Sequence, residues 1–187
     1  MAKILILFGT DHGHTRKIAN RMADVIRERG HEVELVQGNK APSDFSPDGF
    51  DATVIGTSVH MDLHQISVRK LVKEKLSAFE RIPSAYFCVC LTAFGTRPQD
   101  MAQVKRYIND FTKYTGLNPI KVTAFAGALK YPDYNFVRRF IAKLVARRVG
   151  ADTNTKGEYE YTDWDTVTRF AEEFADSLET QDGARQT

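Results

Sequence analysis

Apolar residues along the chain switch repeatedly between strand-like and helix-like spacing. Ile4 to Phe8 is an unbroken apolar run, the pattern of a parallel strand covered on both faces. Ile18, Met22, Val25 and Ile26 then recur at helical spacing, and Gly30 stands just past that helix. Glu32 to Val36 largely alternates and predicts a second strand, followed by a Pro/Ser/Asp-rich surface loop, Gly38 to Gly49. A third strand, Ala52 to Ile55, is expected to end at Gly56-Thr57-Ser58. Val68, Leu71, Val72, Leu76 and Phe79 mark one helix, which Pro83 separates from a fourth strand, Ala85 to Leu91. Pro98 suits the first turn of a helix carrying Met101, Val104, Ile108 and Phe111 on one face. Val122 to Ala126 predicts a fifth strand. Thr162, with Asp165 three residues on, approximates a capping box for a last helix striped by Val167, Phe170, Ala171, Phe174 and Leu178.

Strands alternating with helices predict an α/β fold, an open, mostly parallel five-stranded sheet with helices on both faces. The 187 residues suit one domain, residues 1–178, with a polar tail at 179–187. In such a sheet the ligand lies beyond the carboxyl ends of the strands, where strand order reverses. The loops after strands one, three and four are therefore the candidate site.

Charge and cysteines narrow the field modestly. A net charge of +2 gives no argument for nucleic acid. Cys88 and Cys90 share one face of an apolar strand and read as reduced, buried thiols of a cytosolic protein. Met1-Ala2-Lys3 leads straight into the first strand, so no secretory leader is expected, and no apolar stretch approaches a spanning helix. His12, His14, His60 and His64 invite a metal reading, but no acidic or thiol partner completes a ligand set, and no metal is expected.

The first loop, Gly9-Thr10-Asp11-His12-Gly13-His14-Thr15, offers unpaired backbone N–H groups at a helix N-terminus, with the hydroxyls of Thr10 and Thr15 as further donors. That is a phosphate cradle, or else an ordinary strand–helix turn. It matches neither the dinucleotide nor the nucleoside-triphosphate glycine pattern. Thr10-x-His12-Gly13-x-Thr15 resembles the flavodoxin phosphate loop T-x-T-G-x-T, with His12 in place of a hydroxyl residue. Gly56-Thr57-Ser58-Val59-His60 resembles the second flavodoxin loop, at the isoalloxazine edge, and Thr92-Ala93-Phe94-Gly95-Thr96 resembles the third. The resemblance implies strand order 2-1-3-4-5 and an FMN site made by Thr10 to Thr15, Thr57 to His60 and Thr92 to Gly95. Phe94 would flank the flavin, with His60 or Met61 on the other side. His60 is the only candidate general base, and otherwise the catalytic residues are unknown.

The segment Ala126 to Tyr134 runs into a helix with Phe136, Val137, Phe140, Ile141, Leu144 and Val145 on one face and Arg138, Arg139, Lys143, Arg147 and Arg148 on the remainder. Such a helix suits an anionic membrane surface or an acidic, apolar ligand, or packs on the core with a solvated basic face. Ala126-Gly127-Ala128-Leu129-Lys130-Tyr131-Pro132-Asp133-Tyr134, the basic helix, Thr153 to Lys156 and Tyr161 to Trp164 are similar to the flavodoxin-like protoporphyrinogen dehydrogenases of bacterial haem synthesis. The likeness implies an insertion at about 128–157 that interrupts the fifth strand, which resumes near Glu158 to Tyr161. It also implies FMN-dependent oxidation of protoporphyrinogen IX to protoporphyrin IX, with electrons passed to menaquinone or ubiquinone. Lys130, Arg138 and Arg139 would pair with propionates, and Tyr131 and Tyr134 would stack on the macrocycle. A cytoplasmic protein lying against the inner face of the membrane would fit that role. A flavodoxin-type electron carrier and an NAD(P)H-dependent quinone or flavin reductase are the alternatives, and the oligomeric state is left open.

Overall fold

The computed structural model describes residues 1–60 and 63–185, leaving aside the side chains of His60, Leu63, Arg138 and residues 180–185. In chain order the elements are β1 (Lys3–Gly9), α1 (His14–Glu28), β2 (Glu32–Gln37), β3 (Ala52–His60) and β4 (Leu63–His64). There follow α2 (Ile66–Glu74), α3 (Leu76–Phe79), β5 (Ser84–Cys90), α4 (Pro98–Thr115) and β6 (Lys121–Ala126). The chain closes with β7 (Ala128–Lys130), α5 (Phe136–Val149), β8 (Glu158–Glu160) and α6 (Trp164–Arg185).

The main sheet runs β2-β1-β3-β5-β6 with every neighbouring pair parallel, which is the expected order of five strands. Side chains two apart on a strand point the same way. Ile4, Ile6 and Phe8 of β1 therefore meet α1 and α6 on one face, while Leu5 and Leu7 meet α2, α3 and α4 on the other. Each is almost wholly buried, which is why β1 reads as an uninterrupted apolar run.

Several boundaries differ from expectation. β3 continues through Gly56, Thr57 and Ser58, which pair with β5, and ends in an antiparallel pairing of Val59 with His64. Gly56 marks a close approach and not a strand end: a Cβ there would stand 2.2 Å from Cζ of Phe87. The expected single helix over Val68 to Phe79 breaks at Lys75 (φ −110°, ψ 21°) into α2 and α3. The cap of α6 is Asp163, whose carboxylate accepts from Thr166 N–H at 3.0 Å; Thr162 is engaged elsewhere. α6 itself continues through Glu179 to Arg185.

The residues expected to resume the fifth strand near Glu158 do not rejoin the main sheet. β8 pairs antiparallel with β7 in a separate two-stranded ribbon. This ribbon and α5 surround a small cluster of Leu129, Tyr131, Tyr134 and Ala146 beyond the carboxyl end of β6. α5 turns Ala142, Ala146 and Val149 inward. Its larger apolar residues Phe136, Val137, Phe140 and Leu144 are 85%, 60%, 59% and 52% exposed, so most of the apolar face read from the sequence looks outward.

Candidate functional site

A cavity of about 670 Å³ opens where β1, β3 and β5 deliver their carboxyl ends, within the roughly 300–1,000 Å³ common for small-molecule sites. Its floor comes from Thr10 to His12, His14 and Thr15, from Ser58 and Val59, and from Cys90 to Thr92. Gly127 to Lys130, Tyr134, Ile141, Ala142 and Val145 of the inserted region supply the facing wall. The topological switch point between β1 and β3 thus coincides with the site, as the strand order requires.

The first loop turns on Gly13, at φ 80°, a left-handed conformation that a side chain resists. Gly13 N–H donates to Thr10 Oγ1 at 2.9 Å, and α1 starts at the next residue with its free N–H groups at the cavity. No acidic residue occupies the first turn of α1. The first turn therefore leaves the helix's positive end available to an incoming anion, with Asp11 of the preceding loop lining the same cavity. His14 is 7% exposed, and its Nδ1 is buried without a hydrogen-bond partner. Burial holds His14 below its usual 6.5, which keeps it neutral at neutral pH. A helix N-terminus flanked by the hydroxyls of Thr10 and Thr15 suits a phosphate.

The second segment is held from beneath. His64 Nε2 lies 2.8 Å from the carbonyl of Tyr107, so that nitrogen carries the proton and donates. Nδ1 then accepts, from Thr57 Oγ1 at 3.1 Å or Tyr86 Oη at 3.2 Å, and those two hydroxyls are themselves 2.8 Å apart. Burial lowers the His64 pKa and raises that of Tyr86 well above its usual value, so the network stays neutral and fully bonded. Stacking of Tyr86 on Phe111, centroids 4.1 Å apart, fixes it further. The network joins β3, β4, β5 and α4 and sets Ser58 and Val59 at the cavity edge.

The residues expected to bind divide accordingly. Thr10, Asp11, His12, His14, Thr15, Ser58, Val59, Thr92, Lys130 and Tyr134 line the cavity. Gly13 and Thr57 act behind it, through the loop turn and the His64 network. Ala93 packs into the core, and Gly95 sits tight against Asp100. Phe94, expected beside the flavin, instead packs on Tyr161 with centroids 4.6 Å apart, because the inserted segment returns over it. Tyr131 is fully buried and donates to Asp152 O at 2.8 Å, so its ring is core and not a stacking surface. Arg139 donates to the carbonyls of Tyr131 and Tyr134, both at 3.2 Å, and so braces the turn before α5. Met61 and the side chains of His60 and Arg138 lie outside the described residues.

Sequence reasoning missed Gln65, Tyr107, Ile141 and Val145 as cavity residues, and treated His64 only as a metal ligand. Periodicity put Ile141 and Val145 on the apolar face of one helix without saying what they meet, and it carried no signal for His64, which the antiparallel β4 turn brings back under β3. Among the described residues no group of three His, Cys, Asp or Glu could hold a metal ion. Cys88 and Cys90 are both free and buried, with Cys90 at the cavity edge.

The flavodoxin domain family matches residues 5–156. Protoporphyrinogen IX dehydrogenase (quinone) of Escherichia coli K12 is 32% identical over 174 residues, covering 92% of this chain and 94% of that one. The Leishmania major protein of the same name is 32% identical over 177 residues, covering 92% of this chain and 74% of that one. Among solved structures, a flavodoxin from the domain Archaea aligns over 95% of this chain and 99% of its own, with TM-score 0.55 and 13% identity, a likeness of fold.

Proposed function

Because the chain belongs to the flavodoxin domain family and to the family of the protoporphyrinogen IX dehydrogenases (quinone), we propose that it oxidises protoporphyrinogen IX to protoporphyrin IX with bound FMN and passes the electrons to a respiratory quinone. The observation that carries this reading is the composite cavity: a floor of loop hydroxyls and a helix N-terminus at the sheet's switch point, walled by an inserted ribbon and helix. Thr10, Thr15 and the α1 N-terminus would hold the FMN phosphate, and Ser58, Val59 and Thr92, which line the same cavity, would border the ring system. Bound there, FMN would supply the two-electron redox chemistry.

The chain's own residues bind and orient. Leu129, Ile141 and Val145 give the macrocycle an apolar wall, Tyr134 a ring edge, and Lys130 a cation for a propionate. Lys130 Nζ lies 3.9 Å from Glu158, loosely enough to exchange that partner for a substrate carboxylate. Arg139, tied to loop carbonyls, serves by shaping the wall.

α5 has a second part in the proposal. Ile141 and Val145 face the cavity, whereas Phe136, Val137, Phe140 and Leu144 face outward among the exposed Lys143 and Arg147. Aromatic and aliphatic residues ringed by cations suit the surface of an anionic membrane, the phase in which a respiratory quinone dissolves. No described helix is long and apolar enough to cross a membrane. Contact through α5 would bring the cavity mouth to the bilayer.

The deciding measurement is an anaerobic assay of FMN-loaded protein with protoporphyrinogen IX and a menaquinone analogue, following porphyrin fluorescence. Quinone-dependent porphyrin formation is expected. Flavin-loaded protein that leaves the porphyrinogen untouched would overturn the reading and leave an electron carrier or an NAD(P)H-dependent reductase on the same fold.

A further inference from the structure

His14 joins the phosphate loop to the inserted region through two contacts of different kinds. Its Nε2 lies 2.6 Å from Thr162 Oγ1, and that hydroxyl gives its own proton to the carbonyl of Ala126 at 2.7 Å. A hydroxyl whose single hydrogen is committed can only accept, so His14 Nε2 is the donor and Nδ1 of the neutral ring is a bare lone pair. Nδ1 is buried and unpartnered, and it faces Glu160 Oε2 on β8 at 3.7 Å. A lone pair opposite a carboxylate is electrostatically poor; a proton placed between them makes an ion pair.

Burial keeps that proton off in the ligand-free protein. Glu160 on β8 pulls the other way, while Lys17 on α1 and Lys130 on β7 oppose protonation. Glu160 is shared: Lys17 Nζ lies 3.0 Å away, and Trp164 Nε1 donates to its other oxygen at 2.9 Å. A phosphomonoester at the start of α1 adds about −1.5 to −2 of charge, which acts with Glu160 in favour of the proton.

We infer that binding of a phosphate group at the first loop is coupled to uptake of one proton from solvent at His14 Nδ1, the imidazolium so formed pairing with Glu160. Only the Nδ1–H bond forms, and no electrons move. Since Glu160 ends β8 and Thr162 follows it, the same proton adds an ion pair to the hydrogen bond that already ties the first loop to the inserted ribbon. His14 is thereby a positioning residue that senses cofactor occupancy. The inference rests on the FMN reading.

The sign follows from linkage. A histidine pKa higher in the complex than in the free protein makes phosphate affinity greatest in acid, and weaker as pH rises from the free-state value, below 6.5, to the bound-state value. The phosphate's own second ionisation, near pH 6, acts in the opposite sense. It is common to wild type and variants, so it cancels when they are compared.

The test is isothermal titration of full-length apoprotein with FMN near pH 7 in buffers of different ionisation enthalpy, with riboflavin as the phosphate-free comparator. Wild type is expected to take up as much as about one proton with FMN and much less with riboflavin. His14→Gln, which keeps a donor for Thr162, should abolish the difference, and Glu160→Gln should reduce it. Across the window, wild-type FMN affinity should fall by up to about tenfold per pH unit relative to His14→Gln. Tight FMN binding with no proton uptake, or with equal uptake in His14→Gln, would overturn the coupling alone. Should folding of His14→Gln fail, undiminished uptake in Glu160→Gln overturns it instead. Equal affinity for FMN and riboflavin would overturn the phosphate loop and this inference together.

Discussion

The two walls of the cavity are built by different physics. The sheet side rests on Phe, Ile, Leu and Val side chains buried from both faces, such as Ile4 through Leu7 and Phe87. The inserted side encloses only a small cluster and is held largely by tyrosine hydroxyls bonded to backbone. Tyr131 Oη donates to Asp152 O, and Tyr161 Oη accepts from Asp152 N at 2.8 Å while donating to Asp152 Oδ2 at 2.7 Å. Burial comes first in raising both phenols to about 12, so they remain protonated donors throughout the physiological range. A wall made of packing is stable only as a whole; a wall made of a few hydrogen bonds can open by itself.

The sharpest way to break this contrast is to strike one residue on each side. Phe87 is fully buried beneath Gly56 and touches Phe125 edge-on. Phe87→Ala is expected to cost about 3–5 kcal/mol and to lower the single cooperative transition in urea, followed by far-ultraviolet circular dichroism. Tyr161→Phe removes two hydrogen bonds at a cost of about 1–3 kcal/mol. Its effect should be local: faster amide exchange and proteolysis within 128–161, with protection of β1, β3 and β5 unchanged. Uniformly faster exchange across the sheet would show that the two walls open as one.

The same contrast explains what the sequence could disclose. The sheet side was legible because burial imposes periodicity: Ile4 to Phe8 and the Ile18–Ile26 stripe read as strand and helix and are so. Gly56 misled, because a glycine needed to admit the Phe87 ring looks in sequence like a strand end. α5 was legible as a basic amphipathic helix but not in its orientation: Ala142 and Ala146 fit against the ribbon, while most of its larger apolar residues look outward. Thr10, His14 and Thr15 were legible from local spacing. The joint between His14, Glu160 and Thr162 was not, since His14 lies well over a hundred residues from the other two and no local pattern couples them.

A smaller effect is expected where the inserted helix is pinned to the sheet side. Asp100, at the start of α4, is wholly buried and accepts from Arg97 Nε at 2.8 Å and Nη2 at 3.0 Å, with Arg148 of α5 3.6 Å away. The Arg97 hydrogen bonds hold the Asp100 carboxyl below its usual 3.8. Its contribution is therefore complete above that value and lost as pH falls through the lower, folded-state pKa. Asp100→Asn keeps an acceptor for Arg97 but loses the charge facing Arg148. The variant should be less stable than wild type at neutral pH, with the gap closing in acid below about pH 4. A gap that persists unchanged in acid would assign the effect to packing instead of charge.

The smallest change in stability is expected at the outward face of α5, and it isolates what that face is for. Phe140 and Lys143 are exposed and lie clear of the cavity. Phe140→Ser with Lys143→Gln should alter unfolding by no more than about 0.5 kcal/mol. Arg148 is a poorer choice, because its tie to Asp100 mixes lipid contact with anchoring of the helix. If α5 meets an anionic bilayer, the double variant should sediment less with phosphatidylglycerol vesicles while keeping its turnover with a water-soluble quinone. Equal sedimentation of variant and wild type would leave the exposed face without a lipid role. A parallel loss of turnover with the soluble quinone would mean that this face supports the cavity and not only the membrane contact.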